Sequence, residues 1–485
     1  MRGWNPERVA QAAGARLLAP APTRQGPERT TIDSREAAAG TLFVGLKGES
    51  TDGGRFAAQA LAQGAWGILT TPEHAEAAKC APPGALLAAD DPLKALQRLA
   101  TAWRRHLKAQ VIGVTGSTGK TSTKDMLLAV LARHRRTVAS RANLNTEIGL
   151  PLEILGAPEG TEVLVLEMAM RGAGQIAELA AIAEPDVGVI VTVGPVHLEL
   201  LGTIEAIAAA KAELIAGLPP HGTAIVPANE PLLEPHLRSD IRTITFGPGG
   251  DVELMSADGP QVEIDCAGER IVLEVPFRQV HLRHNLLAVT AAAMVVGVRP
   301  EGRIEVALSA GRGEPAELSS GITLIDDSYN ANPLSMRAAL DFLAAIEPGR
   351  PAGRRIAVLG DMLELGPGEL RYHEELGGYA HRAGVDMLVA VGPLSAATSA
   401  AFERAGGRET HTLADAAEAA ELVPRLAAPG DVVLVKASRG VALELVCRAL
   451  AGYSDEGTAT AIPSDAPPRA DRAAARDAGR ADTSQ

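Results

Sequence analysis

Aromatic residues make up only 3% of the 485-residue chain, too few for the stacking platforms that hold single-stranded nucleic acid. The three cysteines, Cys80, Cys266 and Cys447, lie far apart with no Cys-x-x-Cys pair. That spacing argues against a disulfide framework or a cysteine-based zinc site and leaves free thiols as the reading. No apolar run reaches the roughly 18 residues a membrane helix needs, and the N-terminal residues lack the apolar stretch of a secretory signal. Positive charge is in deficit: 46 Lys and Arg stand against 59 Asp and Glu, for a net charge of −13. Such a balance gives no support to general binding of nucleic acid or of an anionic membrane, while a local basic pocket for phosphates stays open. The expectation is a soluble, cytoplasmic protein with neither of those partners. Lysine is scarce, with 8 residues against 38 arginines, so a lysine inside a chemical motif stands out.

What is present is a chain long enough for about three domains at roughly 150 residues each. It is 46% hydrophobic and 22% charged, an ordinary globular composition. The first hundred residues mix short strands (41–46, 66–69) with Ala-rich helical stretches and end in a helix at 93–106. From Val111 the chain repeats strand, tight Gly turn, helix. The apolar runs 111–115, 163–167 and 187–193 read as parallel strands buried on both faces. A more β-like stretch at 251–276 precedes an apolar helix at 285–296. A third set of strands then follows at 322–325, 356–359, 387–391 and 432–435, each ahead of a helix. This predicts an α/β protein: a small α/β N-terminal domain (1–107), a central doubly wound domain (108–313), and a second, smaller α/β domain at the C-terminal side (314–452). Residues 453–485, with almost no apolar content, read as a disordered tail.

The strongest single motif is Val111-Ile-Gly-Val-Thr-Gly-Ser-Thr-Gly-Lys-Thr-Ser-Thr-Lys124. An apolar strand ends in Gly116, Ser117, Thr118 and Gly119, and a helix starts at once with Lys120, Thr121 and Ser122. Backbone N–H groups of such a turn, with the helix N-terminus, form an anion cradle. Lys120 can reach the β- and γ-phosphates and the Thr121 hydroxyl can ligate Mg²⁺. The usual spacing would place the first glycine at position 114, where this chain has Val114, so the loop is a variant.

Weaker signals follow. Glu167 ends a strand where α/β folds gather ligands, though alone it could equally be a helix N-terminal carboxylate. His197 sits in a Gly-Pro loop past the next strand, where a lone histidine is usually just solvated. Lys211 falls in an apolar helix, at about 203–216, where an isolated lysine would ordinarily snorkel outward. Asp326-Asp-Ser-Tyr-Asn-Ala-Asn-Pro333 runs off another strand end. Its short polar groups suit a ribose hydroxyl and an amide-bearing ligand, or else simply cap the helix that begins at Pro333. Leu359-Gly-Asp-Met-Leu-Glu-Leu-Gly366 with His373, and Val435-Lys-Ala-Ser-Arg439, place further polar groups after two more strands.

Taken together with Asp33-Ser-Arg35, Leu42-Phe-Val-Gly-Leu-Lys-Gly48, Asn143-Leu-Asn-Thr-Glu-Ile-Gly149 and His281 with Asn285, these blocks resemble the Mur ligase family over residues 30–450. The resemblance is to the branch that adds D-alanyl-D-alanine. The Asn-Pro-Arg motif of the tripeptide-forming branch does not occur in the last domain. The resemblance implies a UDP-sugar-binding N-terminal domain, a central P-loop ATP-binding domain and a C-terminal Rossmann-like domain, ATP-dependent amide formation through an acyl phosphate, and the substrates UDP-N-acetylmuramoyl-tripeptide and D-Ala-D-Ala, handled by a monomer. It implies two Mg²⁺ sites, with Thr121, Glu167, His197 and Lys211 as metal residues and Lys211 carbamylated. Lys120, Lys211, His197 and Glu167 would be catalytic. Asn285 would lie by adenine and Asp327 by ribose. Ser34, Arg35 and Lys47 would face the UDP end, and Asn143, Asn145 and Thr146 the substrate carboxyl or γ-phosphate. Tyr329, Asn330 and Asn332 would border the dipeptide, with Lys436 and Arg439 where the C-terminal domain meets the reaction centre. The chain departs from the family pattern at Gly54, Ala169, Thr192, Val280 and Leu282. Competing readings are another amide ligase of the superfamily, such as folylpolyglutamate synthase, or a nucleotide-gated binding module.

Overall fold

Three β-sheets succeed one another along the chain in a computed structural model that describes residues 1–141, 143–349 and 353–452. The expected tail, 453–485, lies outside the described residues. The first sheet has five strands in the order Arg16–Ala19, Ala85–Ala88, Gly67–Thr70, Thr41–Val44, Arg29–Thr31. All neighbours are parallel except the first pair. The helix Pro92–Leu107 then leaves this unit, started by Pro92 and by the Asp91 carboxylate, which accepts from the Lys94 N–H at 3.0 Å. Its buried Leu96, Leu99, Ala100 and Trp103 recur at helical spacing. They join one core with Leu150, Ile154 and Leu164 of the next unit. The Trp103 indole N–H is satisfied by the Ala157 carbonyl at 2.9 Å, so the connecting helix is also the surface on which the second unit is built.

The second sheet has ten strands. Thr137–Ala139, Val163–Glu167, Gln110–Thr115, Val187–Ile190, Thr223–Pro227 and Arg242–Phe246 run parallel in that spatial order. Their valines and isoleucines are buried on both faces, as a parallel sheet with helices on each side demands. The β-like stretch expected at 251–276 belongs to this sheet. Its strands Val252–Asp258, Gln261–Cys266 and Glu269–Glu274 form an antiparallel extension of the same sheet. Two other expectations shift. The strand expected at 187–193 stops at Ile190, because residues 191–194 turn away to brace the glycine loop. The helix expected at 285–296 begins earlier, at Val280, and ends at Val295, which puts Asn285 in its second turn.

The third sheet has six strands in the order Glu314–Glu317, Thr323–Asp326, Val432–Lys436, Arg355–Gly360, Met387–Val391, Glu409–Leu413. All are parallel except the first. Among the described residues no helix is long and apolar enough to cross a membrane.

The connection between the second and third units is anchored on the helix that follows the glycine loop. Asp125, buried beside Lys124 (N–O 2.5 Å), accepts from both the N–H and the hydroxyl of Ser309, at 3.0 and 2.9 Å. Beyond it, Gly311 and Gly313 take φ of +72° and +79°, a turn available to residues without a Cβ. Removing one partner of a buried pair strands the other charge, so Asp125→Ala is expected to cost about 3–5 kcal/mol. Guanidinium unfolding of the full chain should show this as a lower midpoint for the central and C-terminal units.

Candidate active site

The strand Gln110–Thr115 ends beneath the glycine loop, and the helix Lys120–Leu131 begins directly after it. Gly119 is the N-cap, with φ +79°. A Cβ there would lie 2.7 Å from the Asn285 amide nitrogen and 2.9 Å from Val191. Ser117 donates its N–H to the Thr192 carbonyl and its hydroxyl to the Gly194 carbonyl, both at 2.9 Å. The Thr118 N–H donates to the Thr192 hydroxyl at 2.9 Å, and that hydroxyl returns a bond to the Thr118 carbonyl at 3.1 Å. Thr192 thus braces the loop from two sides. The Lys120 ammonium folds back onto the Gly116 carbonyl at 2.8 Å. Burial lowers its pKa, with Arg312 acting in the same direction and Glu167 opposing.

Glu167, at the carboxyl end of the adjacent strand, collects the loop's chemistry. One carboxylate oxygen accepts from the Thr121 hydroxyl and the other from the Asn145 amide, each at 2.8 Å. Its own N–H donates to the Ser140 hydroxyl at 3.0 Å. Ala169 donates its N–H to the Asn145 carbonyl at 2.9 Å, which sets the segment carrying Asn145. Asn143 and Thr146 lie exposed on either side. Asn285 donates to Ser122 at 3.1 Å and is almost fully buried beside the loop. Leu282 is buried one turn before it, while Val280, the first residue of that helix, is 81% exposed.

Lys211 does not snorkel. It is 2% exposed and makes no ion pair among the described residues. Burial, reinforced by the charge of Lys120, pushes its pKa well down. His197 stands just past Gly194 with φ +54°. Its Nδ1 pairs with the carboxylate of Glu364 from the third unit.

That third unit closes the site from the opposite side. Asp327 and Lys436, on neighbouring strand ends, pair at 2.6 Å in a buried setting. Burial pushes the acid up and the amine down, towards their neutral forms, and the pairing opposes both shifts. Lys436 also donates to the Asn330 carbonyl at 2.9 Å. Asn332 caps the helix Pro333–Ala345 through a capping box with Ser335, and its amide N–H₂ points at the Ser117 carbonyl at 3.5 Å. His281, exposed at the start of the helix Val280–Val295, has its pKa lowered by the protein packed around its ring and by the charge of Lys436.

Arg312 escaped the sequence reading. It lies in the Gly311–Gly313 turn and carries no motif of its own. Its guanidinium donates to the Thr121 hydroxyl at 3.0 Å and lies 4.0 Å over the Tyr329 ring. Its Nε is buried without a hydrogen-bond partner. Arg439 approaches the same ring at 5.7 Å. The one available signal was an arginine between two glycines at the junction of two units.

Ser34, Arg35 and Lys47 follow the carboxyl ends of the neighbouring strands Arg29–Thr31 and Thr41–Val44 in the first unit. Arg35 is exposed and forked onto Asp33, and Lys47 bridges to Asp52 through the backbone. At Gly54 a Cβ would fall 2.2 Å from the His74 ring. That ring occupies the space and bonds Asp52 at 3.1 Å.

Among the described residues no three His, Cys, Asp or Glu side chains gather as a metal cage. The donor set at Thr121 and Glu167, one hydroxyl and one carboxylate, is instead of the kind Mg²⁺ uses when phosphates and water complete its shell. The residues therefore fit a nucleotide-bound Mg²⁺. Gly119→Ala adds a side chain where left-handed backbone costs about 1–2 kcal/mol before the contact with Asn285 is counted. Calorimetry with ADP and Mg²⁺ is expected to show affinity lowered at least about tenfold.

Family models match three consecutive segments: the Mur ligase family catalytic domain at 28–106, the Mur ligase middle domain at 114–293, and the Mur ligase glutamate ligase domain at 311–439. The chain is 37% identical to the UDP-N-acetylmuramoyl-tripeptide–D-alanyl-D-alanine ligase of Bacillus subtilis, over 86% of this chain and 92% of that protein. It is 33% identical to the ligase of the same name from Escherichia coli, over 87% and 93%. Among solved structures it is similar to MurF of Acinetobacter baumannii (TM-score 0.80, 28% identity, 93% and 99% of the two chains). It is also similar to MurF ligase of Thermotoga maritima in complex with ADP (TM-score 0.74, 29% identity, 87% and 97%). With three matched domains in order, full-length relatives above 30% identity and a glycine loop set against Glu167, this chain belongs to the Mur ligase family.

Proposed function

We propose that the protein joins D-alanyl-D-alanine to UDP-N-acetylmuramoyl-tripeptide at the expense of ATP, in the synthesis of peptidoglycan precursors, and that it does so as a cytoplasmic monomer. The observation that carries this reading is the meeting of two half-sites. Thr121, Glu167 and Lys120 on the central unit face Arg312, Asp327 and Lys436, which arrive with the linker and the C-terminal unit.

A carboxylate cannot expel oxide, so the terminal carboxylate oxygen of the tripeptide first attacks the γ-phosphorus of ATP, and ADP leaves. The amine of the dipeptide then attacks the acyl carbon, the nitrogen loses a proton, and phosphate departs with the original carboxylate oxygen. Phosphoryl transfer of this kind depends mainly on positioning and on charge stabilisation. Lys120 and the loop N–H groups hold the phosphates. Thr121 and Glu167 would hold Mg²⁺, whose chemistry there is neutralisation of phosphate charge, and His197 and Lys211 would complete a second site. Arg312, stacked on Tyr329 and ending at Thr121, carries an unpartnered Nε beside the phosphate site. Asn285 takes the adenine side and Asp327 the ribose. Asn143, Asn145 and Thr146 take the tripeptide carboxyl, Tyr329, Asn330 and Asn332 the dipeptide, and Ser34, Arg35 and Lys47 the uridine diphosphate.

For Lys211 the proposal is finer. Burial favours the uncharged amine, the form that adds carbon dioxide, and a carbamate would place a negative charge beside Lys120. Intact-protein mass measurement under bicarbonate should show a gain of one carbon dioxide that Lys211→Arg lacks. Full activity in Lys211→Arg would overturn the assignment.

Phosphate release should require ATP, Mg²⁺, UDP-N-acetylmuramoyl-tripeptide and D-Ala-D-Ala together, with the product heavier by one dipeptide. Release with another amino acid in place of the dipeptide would return the substrate to a sister ligase. Arg312→Lys, which keeps the charge but loses the planar fork, is expected to lower kcat about 10²-fold, as removal of a single charge-stabilising donor does.

A further inference from the structure

We propose that Glu364 is a positioning residue of the reaction centre, supplied by the C-terminal domain to orient His197 of the central domain. The proposal deepens the ligase reading and rests on it for the role of His197.

His197 and Glu364 are 167 residues apart in sequence and belong to different sheets. Both hold left-handed backbone, φ +54° and +63°, which is uncommon for residues with a Cβ and persists only where the surroundings over-determine it. The two loops are joined by more than the side chains. The Glu199 N–H donates to the Glu364 carbonyl at 3.2 Å, and the Gly366 backbone lies against Glu199. Arg171 approaches the other Glu364 oxygen at 3.9 Å. Beside the pair the seam is not filled: a cavity of about 340 Å³ opens among Leu198, Thr203, Ile204, Leu365 and Tyr372. The polar contact, rather than continuous apolar packing, therefore ties the domains here.

The consequence is directional. A carboxylate on one ring nitrogen fixes both the tautomer and the plane of a histidine. With Nδ1 turned to Glu364, Nε2 is on the opposite side of the ring and has no protein partner among the described residues. The loop bearing His197 is clamped to the glycine loop by the Ser117–Gly194 bonds, so an oriented Nε2 is referenced to the phosphate site. Because the carboxylate comes with the C-terminal domain, His197 is set only when the domains are together.

The test compares Glu364→Gln, Glu364→Asp and the unchanged full-length chain. Gln keeps the backbone preference and length and removes the charge, and Asp restores the charge on a residue tolerant of left-handed backbone. For Glu364→Gln the expected result is a 10- to 100-fold lower kcat, the usual range for losing an orienting partner. KM for ATP should stay within about twofold, and Asp should recover part of the loss. In ¹⁵N-histidine-labelled protein, the carboxylate-bonded Nδ1 proton of His197, assigned by its loss in His197→Gln, should vanish in Glu364→Gln and return in Glu364→Asp. An unchanged kcat, a loss that Asp does not relieve, or a His197 signal unaffected by Glu364→Gln would overturn the proposal. An unchanged chain that shows the His197 signal but no ligation of these substrates would instead count against the ligase reading.

Discussion

Glu167 ends a strand of the central sheet with both oxygens already committed, one to the Thr121 hydroxyl and one to the Asn145 amide. The first bond ties the sheet to the start of the helix that carries Lys120. The second ties it to the segment through Asn143–Thr146, so two loops from different βα crossovers are held at one carboxylate. Thr121 in turn accepts from Arg312, and one helical turn later Asp125 grips Ser309. The same helix thus seats the phosphate loop and anchors the linker on which the C-terminal domain hangs.

The electrostatics of the site follow from this geometry. Half of the chain's eight lysines, Lys120, Lys124, Lys211 and Lys436, lie in or beside it, and the last three are nearly or fully buried. Lys124 is balanced by Asp125 and Lys436 by Asp327, while Lys120 has Glu167 near it and Lys211 feels only the like charge of Lys120. Burial drives these amines towards neutrality unless anions arrive. A cleft in that condition suits substrates that bring several negative charges of their own: a nucleoside triphosphate and a carboxylate. The scarcity of lysine elsewhere is consistent with arginine serving the exposed surface, where most of its ion pairs lie.

The positions that the sequence set apart from the family resemblance are each accommodated locally. Thr192 holds the glycine loop with a hydroxyl that both donates and accepts. The space over Gly54 is taken by His74 from another helix, which bonds the neighbouring Asp52. Ala169 contributes only its backbone N–H and Leu282 only its burial.

Residues 110–131 were legible because every determinant is local: an apolar strand, glycines at a sharp turn, and a helix that starts on a lysine and a threonine. The same holds for the strands at 163–167 and 387–391, whose bounds the apolar runs match residue for residue, and for the cap of the helix at Pro333. The antiparallel strands after Val252 were legible as strands, but their membership of the central sheet depends on hydrogen bonds to a distant neighbour, which no local pattern records. Lys211 read as a surface lysine from its helix alone; its burial follows from which face that helix turns to the sheet. Arg312 carries no local signature, and Glu364 stood only within the polar block 359–366 with no partner assigned, because each acts across a domain boundary on a residue more than 160 positions away. The sequence by itself determined the three α/β units, the phosphate loop and the residue types of the chemistry. Only the tertiary structure decided which charges meet, because a contact between domains depends on how whole sheets are placed and leaves no period or spacing in the chain.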